Sequence, residues 1–465
     1  MKRWRPTAVW ICACAFVGLS SVAAFSQETN EDQPADPDTG ESTVAERTLG
    51  LLPNPYERLG IKFAVTYIGE VLGNPTGGLK QGATFEGRLN LAVDLDFDKL
   101  AGWKGLTAHA NIFVIHGDGL SRSNLNNFFV VSGIEALPTV RLYEAYLEQK
   151  FFNDKWSVRA GQLAADSEFI ASKYTDVFTN ASLGWPAITS VDLPAGGPSP
   201  PLAAVGARLS AKLNDNVTLL GAIFDGDSAG PGPGDPQQRN RFGLNFRVND
   251  PPLVLGEVQF GWKDTVAHDG RAGALKIGGW HHFGMFSDQR FTSDGLSIAD
   301  PAGSGMGRML RANDGVYSVI EEKVYAVAKS KDRGVGVFMR TSASPSDRNL
   351  IDFYTDAGID FIGLSDQRQN DKFGVAVGYA HVSKRAQALD RDYAFFMGQS
   401  DWPVRSSEAL FTTSYLYEVK PGLNLLPNYQ YIFRPGGGAT DPSGPNPGIR
   451  LKNASVFGLR SVAKF

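Results

Sequence analysis

Along most of the chain, apolar and polar residues alternate one by one. The stretch FEGRLNLAVDLDFDKL, residues 85–100, shows it most plainly. Phe85, Gly87, Leu89, Leu91, Val93, Leu95 and Phe97 fall on one parity, and Glu86, Arg88, Asn90, Ala92, Asp94 and Asp96 on the other. Side chains of a strand point to opposite faces in turn, so the pattern predicts a long strand with one apolar and one charged face. The same grammar recurs from about residue 61 to the end. It is seen in IKFAVTYIGE (61–70), WSVRAGQ (156–162), RFGLNFRV (241–248) and GEVQFGW (256–262), then in FGVAVGYAH (373–381), EALFTTSYLYEV (408–419) and NASVFGLRSVAKF (453–465). Turn residues break the segments at LNDN (213–216), NDPP (249–252), SKDRG (330–334) and VKPG (419–422). No helical periodicity runs long enough to suggest a second layer.

A soluble β-sandwich or propeller would bury one face of each sheet against protein. Strands of such folds seldom carry full charges on the other face, and a propeller would repeat at blade length, which this chain does not. A transmembrane antiparallel β-barrel accounts for the pattern directly: lipid outside, water inside, and no open edge. About 17 segments qualify as strands, yet bacterial single-chain barrels have an even number. The surplus or missing one lies between about residues 204 and 316. Phe85, Phe97, Trp103, Trp156, Phe242, Trp262, Tyr379, Tyr415, Tyr417, Tyr429, Tyr431 and Phe433 sit in or beside strand segments. Interfacial girdles would place them so, although aromatics favour strands in any fold. The chain ends on Phe465, in register with Phe457, Leu459, Ser461 and Ala463. A terminal aromatic on an alternating last strand resembles the signal read by the barrel-assembly machinery of Gram-negative outer membranes.

The N-terminus adds the compartment. A basic KRWR (2–5), an apolar run (7–19) and small residues (20–26) read as a secretory signal, 1–26, cleaved after Ala24 or Ser26. The apolar run is short of the roughly 20 residues a spanning helix needs. Both cysteines, Cys12 and Cys14, lie within it, so the mature chain has no disulfide to rely on. Losing Lys2, Arg3 and Arg5 takes the formal net charge from −4 to −7 (−4 minus 3), which argues against nucleic acid as a partner. Residues 27–55 carry seven acidic residues against one basic and are poor in apolar residues, an expected flexible periplasmic leader. Residues 56–465 are then the barrel.

Two long irregular stretches interrupt the early strands, 117–140 and 163–203. Loops of that length are functional or disordered, and folded inward they would narrow the lumen. The segments NNFF (126–129), RLYEAYLEQKF (141–151), RAGQLAADSEF (159–169), FTNASLGWP (178–186), DLPAGGPSPPLAAVGAR (192–208), GGWHH (278–282) and GLRSVAKF (458–465) resemble, in their order and spacing, the carbohydrate-selective porin family of Gram-negative outer membranes. The resemblance runs from about residue 56 to 465. It implies a sixteen-stranded barrel, commonly trimeric, in which inward-folded loops form an eyelet that passes small sugars by diffusion. Its surroundings would be outer-membrane lipid and lipopolysaccharide.

A sugar is neutral, rich in hydroxyls and apolar on its ring faces. A pore favouring it needs strong but transient polar partners, and an aromatic ring to stack on. The inward parity of the opening strand supplies Glu86, Arg88 and Asn90. RLYEAYLEQK supplies Glu144, Tyr146, Glu148 and Lys150, and SVRAGQ supplies Arg159. The second long loop supplies Asp166, Glu168 and Trp185. Each has a plainer use: the wall charges can simply solvate the lumen, Asp166 and Glu168 can pin the loop to the wall, and Trp185 can pack inside it.

Enzyme signals are weak. His281 and His282 are adjacent and would point to opposite faces of a strand, a poor metal pair. GSGMG (303–307) lacks the strand-to-helix setting of a nucleotide loop, and no G-x-S-x-G or H-E-x-x-H occurs. No cofactor is expected. The expectation is a passive outer-membrane porin for small neutral solutes, sugars above all. A general or anion-tolerant porin and an outer-membrane barrel hydrolase are the alternatives.

Overall fold

The computed structural model describes residues 47–262, 271–328, 330, 332–441 and 448–465. The expected signal, 1–26, and leader residues 27–46 lie outside the described residues. Sixteen antiparallel strands close on themselves. They are β1 (Ile61–Gly78), β2 (Gly82–Asp96), β3 (Leu106–Gly117), β4 (Thr139–Phe151), β5 (Trp156–Leu163), β6 (Ala204–Lys212), β7 (Val217–Phe224) and β8 (Leu253–Trp262). The second half is β9 (Gly273–Ser287), β10 (Met309–Ala326), β11 (Gly334–Ala343), β12 (Ile351–Ile362), β13 (Lys372–Val382), β14 (Ser407–Lys420), β15 (Leu423–Phe433) and β16 (Lys452–Lys464). Each strand pairs with its neighbours in sequence, and β1 pairs with β16 to seal the wall. Closure satisfies the backbone hydrogen bonds that lipid could not.

Connections alternate between ends. One end carries short turns such as 152–155, 213–216 and 421–422. The other carries long loops, among them 118–138, 164–203, 225–252 and 383–406. Short turns face the periplasm in bacterial barrels and long loops face outward. The described N-terminal stretch runs to the short-turn end, where the Leu49 N–H donates to the Lys464 carbonyl at 2.8 Å.

The alternation holds residue by residue. On β2, Phe85 and Leu91 are exposed on the outer face, while Glu86 and Arg88 are buried on the inner one. The strand ends at Asp96, one residue before the apolar parity runs out. The Asp96 carboxylate accepts from the Asp98 and Lys99 N–H groups and caps the short helix Phe97–Ala101. The longest helix among the described residues, Lys384–Phe396, escaped the periodicity; it lies in the loop after β13 and is capped by the Ser383 side chain.

The seventeenth strand candidate is also explained. Residues 241–248 are not in the barrel; they lie in the loop between β7 and β8. The chain turns at 241–243, where Gly243 takes φ 67°, and residues 244–249 follow outside any helix or strand. Pairing of β5 with β4 stops at Gln162 opposite Ala145, where the chain turns inward. That leaves the upper edge of β4 open. The Leu142 N–H donates to the Phe242 carbonyl at 3.0 Å, and the Thr139 hydroxyl and Arg141 Nε donate to the Arg241 carbonyl. At the far end, Arg247 forks onto Asp250 at 2.6 and 2.8 Å, and the Asp250 N–H donates to Asp225.

The Arg247 hydrogen bonds hold the Asp250 carboxyl below the usual carboxylate range. A depressed folded-state pKa contributes stability that is present above the unfolded value and lost as pH falls through the folded one. Amide exchange at 245–250, corrected for its intrinsic rate, should therefore accelerate as pH drops through that range. Asp250→Asn should remove the pH dependence. Equal profiles for the two chains would show that the fork does not hold the segment.

Candidate functional site: a lumen narrowed by two inward loops

Two loops cross the interior. The first, 118–138, follows β3; the second, 164–203, follows β5. Their partners show how far they reach. The Phe128 and Phe129 N–H groups donate to the Glu408 carboxylate of β14, at 2.8–2.9 Å. Ser132 donates to Glu70 of β1, which is paired at 2.8 Å with Arg460 of β16. In the second loop, the Ile170 N–H reaches Glu257 of β8 and Ser172 reaches Glu321 of β10. Asn180 donates to Gln430 of β15, and Asp192 accepts from the Leu350 and Ile351 N–H groups. Only a loop lying across the lumen can touch so many strands.

Arg340 of β11 is the densest of these contacts. It is fully buried and pairs with Asp356 of β12 at 2.5 and 3.0 Å. It also donates to the carbonyls of Ile170, Ser182 and Gly184, and the Tyr354 hydroxyl donates to Asp356. One guanidinium therefore holds both arms of the second loop. The wall is shaped to receive the loops: a Cβ at Gly336, Gly374 or Gly378 would collide with Tyr174, Val177 or Phe129. Glycine at those inward positions lets the loop rings lie directly on the sheet.

Opposite these contacts, on β2 to β6, the polar wall faces the remaining space. Glu148, Arg159 and Arg208 stand in register on β4, β5 and β6. Arg159 lies 3.1 Å from Glu148 and 3.5 Å from Glu168 of the second loop; Arg208 lies 3.2 Å and 2.7 Å from the same two carboxylates. Two cations and two anions thus close a ring. Arg208 and Glu148 are only 3 % exposed, whereas Arg159 and Glu168 keep 14 % and 22 % of their side chains open. The Arg159 guanidinium stacks 4.9 Å over the Tyr146 ring, which in turn stacks on His109. The group offers a solute one donor fork, one carboxylate and an aromatic edge.

Above this ring, a bulge changes the count. Ala110 pairs with Ala145 and Ile112 with Leu142, so Asn111 opposes both Tyr143 and Glu144. Two consecutive side chains therefore leave the alternation. Glu144 accepts from the Ala164 N–H at 2.9 Å and fixes the start of the second loop. Tyr143 stacks on Phe113 at 4.4 Å, and Arg88 lies 4.3 Å over the other ring of that pair, Phe113. Asp166 is buried within electrostatic reach of Tyr143.

The nine residues expected from sequence thus fall into groups. Glu148, Arg159 and Glu168 come together in the ring. Arg88, Glu144 and Asp166 gather around Tyr143, and Asn90 is half-buried further along the same face of β2. Glu86 lies apart, buried beneath the first loop within reach of Glu135, Glu70 and Arg460. Trp185 is fully buried inside the second loop, its indole N–H donating to the Gly196 carbonyl at 2.9 Å. Arg208, Tyr143, Arg340 and Glu408 were not anticipated. Arg208 and Arg340 were within reach of the alternation, being charges on the parity opposite Leu209 and Met339, both exposed on the outer wall. The bulge that turns Tyr143 inward leaves no periodic trace. Among the described residues no group of three or more His, Cys, Asp or Glu side chains is placed to hold a metal ion.

The profile of the carbohydrate-selective porins of the OprB family matches residues 80–465. Porin B of Pseudomonas aeruginosa is 22 % identical over 405 residues, covering 81 % of this chain and 84 % of that protein. The putative porin QuiX of Acinetobacter baylyi is 21 % identical over 407 residues, covering 82 % and 86 %. The high-pH structure of Pseudomonas putida OprB superimposes with a TM-score of 0.77 at 21 % identity, covering 88 % of this chain and 95 % of that one. A closed sixteen-stranded wall, a lumen narrowed from within and a family match over most of its length make this chain an outer-membrane porin, a passive channel for small solutes belonging to the OprB family of carbohydrate-selective porins.

Proposed function

We propose that the solutes are monosaccharides and small oligosaccharides, and that they are handled at the ring of Arg159, Glu148, Glu168 and Arg208 beside Tyr146. The observation that carries this reading is the partial opening of that ring. Its two partly open members present opposite charges to the lumen, while its two buried members hold them in place. Hydroxyls can borrow such groups in passing, since each already has a partner and neither needs the solute for its charge balance. The mixed signs cancel, so the ring favours a neutral solute over an ion. Arg88, Asn90, Glu144 and Asp166 are assigned to the approach, where they keep the wall polar. Glu86 and Trp185 belong, in this reading, to the seating and internal packing of the loops.

The test is liposome swelling with glucose, an amino acid of similar size and a disaccharide. Glucose should enter faster than its size predicts. Arg159→Gln together with Glu168→Gln keeps the volume and removes both charges, and should reduce that advantage several-fold. Rates that follow size alone in both proteins would leave a porin without sugar preference.

The rest of the proposal concerns delivery and assembly. Residues 1–26 are removed as a signal, 27–55 remain as a leader, and Phe465 presents the last strand to the assembly machinery. The mature barrel sits among lipopolysaccharide as a homotrimer. Native mass spectrometry in detergent would read three chains; a single chain would remove the trimer.

A further inference from the structure

We infer that residues 241–248 are part of the lipid-facing wall, seated against acyl chains of the outer leaflet rather than standing in water. Phe242, Leu244, Phe246 and Val248 are 55–71 % exposed, and they alternate. An uninterrupted row of four large apolar side chains is not what an extracellular loop presents to water. The place of the row explains it. β5, β6 and β7 are 8, 9 and 8 residues long, at or below the roughly 9–11 that a crossing strand uses. The wall is lowest there, where the second loop leaves it at Leu163 and rejoins it at Ala204.

The segment bridges this low stretch. It is tied to the edge of β4 at Phe242 and anchored beside β8 through Arg247, Asp250 and Asp225. Crossing from β4 to β8 covers four interstrand gaps, roughly 19 Å, within the roughly 26 Å that eight residues can span at most. Below it, Trp156, Val158, Leu209, Leu219 and Ile223 are exposed on the outer faces of the short strands. The apolar ladder continues that surface upward. Arg241, exposed and 5.6 Å over the Phe242 ring, sets a cation beside the ladder, as anionic headgroups require. Buried Arg141 joins the pieces, donating to the carbonyls of Arg241, Gln237 and Pro201, the last at the end of the inward loop. The occupant is therefore lipid, by continuity with a wall that already faces it.

Spin labels in proteoliposomes would decide it. In a chain carrying Cys12→Ser and Cys14→Ser, single labels would be placed through Phe242→Cys and Phe246→Cys. Leu219→Cys serves as the wall reference and Asn245→Cys as the opposite parity. Glucose uptake at the wild-type rate certifies the fold, and Val248→Cys replaces either label that fails this control. Collisions with oxygen should exceed those with a water-soluble nickel chelate at 242 and 246, as at 219, and the ratio should invert at 245. Nickel-dominated collisions at 242 and 246 would place the row in water and overturn the inference. So would loss of both kinds of collision with spin–spin broadening, which would mean that a second copy covers the row.

Discussion

Replacing Arg340 with methionine should widen the channel, raising single-channel conductance several-fold and speeding the entry of disaccharides relative to glucose. The side chain is fully buried and donates to three carbonyls of the second inward loop as well as to Asp356. Methionine fills much of the space but none of the hydrogen bonds. Ile170, Ser182 and Gly184 lose their common donor, and Asp356 keeps only the Tyr354 hydroxyl among the polar groups described. Breaking a buried ion pair by removing one partner costs about 3–5 kcal/mol. The barrel has sixteen ladders to hold it and the loop does not, so the loss falls on the loop. An unchanged conductance from a folded Arg340→Met chain would mean that the remaining contacts fix the loop alone.

Glu408→Gln is expected to do the same to the first loop, with a different signature. The carboxylate accepts from Phe128, Phe129 and Gly436 N–H groups together. Glutamine keeps the shape but turns one acceptor into a donor facing donors. Each buried N–H left without an acceptor costs about 1–3 kcal/mol. Because Gly436 lies in the loop between β15 and β16, that loop should loosen along with 118–138. Current records should show frequent transitions between two conductance levels where the native channel is quiet. Quiet records with native glucose uptake would show that Phe129 against Gly378 seats the loop unaided.

The wall was nearly all legible in the sequence, because every outward residue must suit lipid and every inward one water, and that demand repeats at each step. The same rule misled at 241–248, where a segment obeys it without belonging to the ladder. The pattern reports an apolar environment on one side of the backbone, not a pairing partner. The narrowing of the lumen was legible only in part. Arg159 and Glu148 follow from parity on two adjacent strands. Their meeting with Glu168, and the joining of Arg340 to Ser182, depend on the path of a loop with no period. Such contacts link residues 158 positions apart, and nothing in the order of residues along either segment records them.

That separation has a consequence for how the channel comes into being. The second inward loop is made between β5 and β6, but its holdfasts arrive with β8, β10, β11, β12 and β15. The first waits for β14 and β16. Contacts so distant along the chain form late, after the costs of ordering everything between them have been met. The second loop gains its moorings strand by strand and has the last of them only with β15 and β16, while the first has none of these until β14 joins and β16 has met β1. Connectivity therefore ties the narrowing of the channel to the closing of its wall: the full set of loop contacts exists only once the last strands are in place.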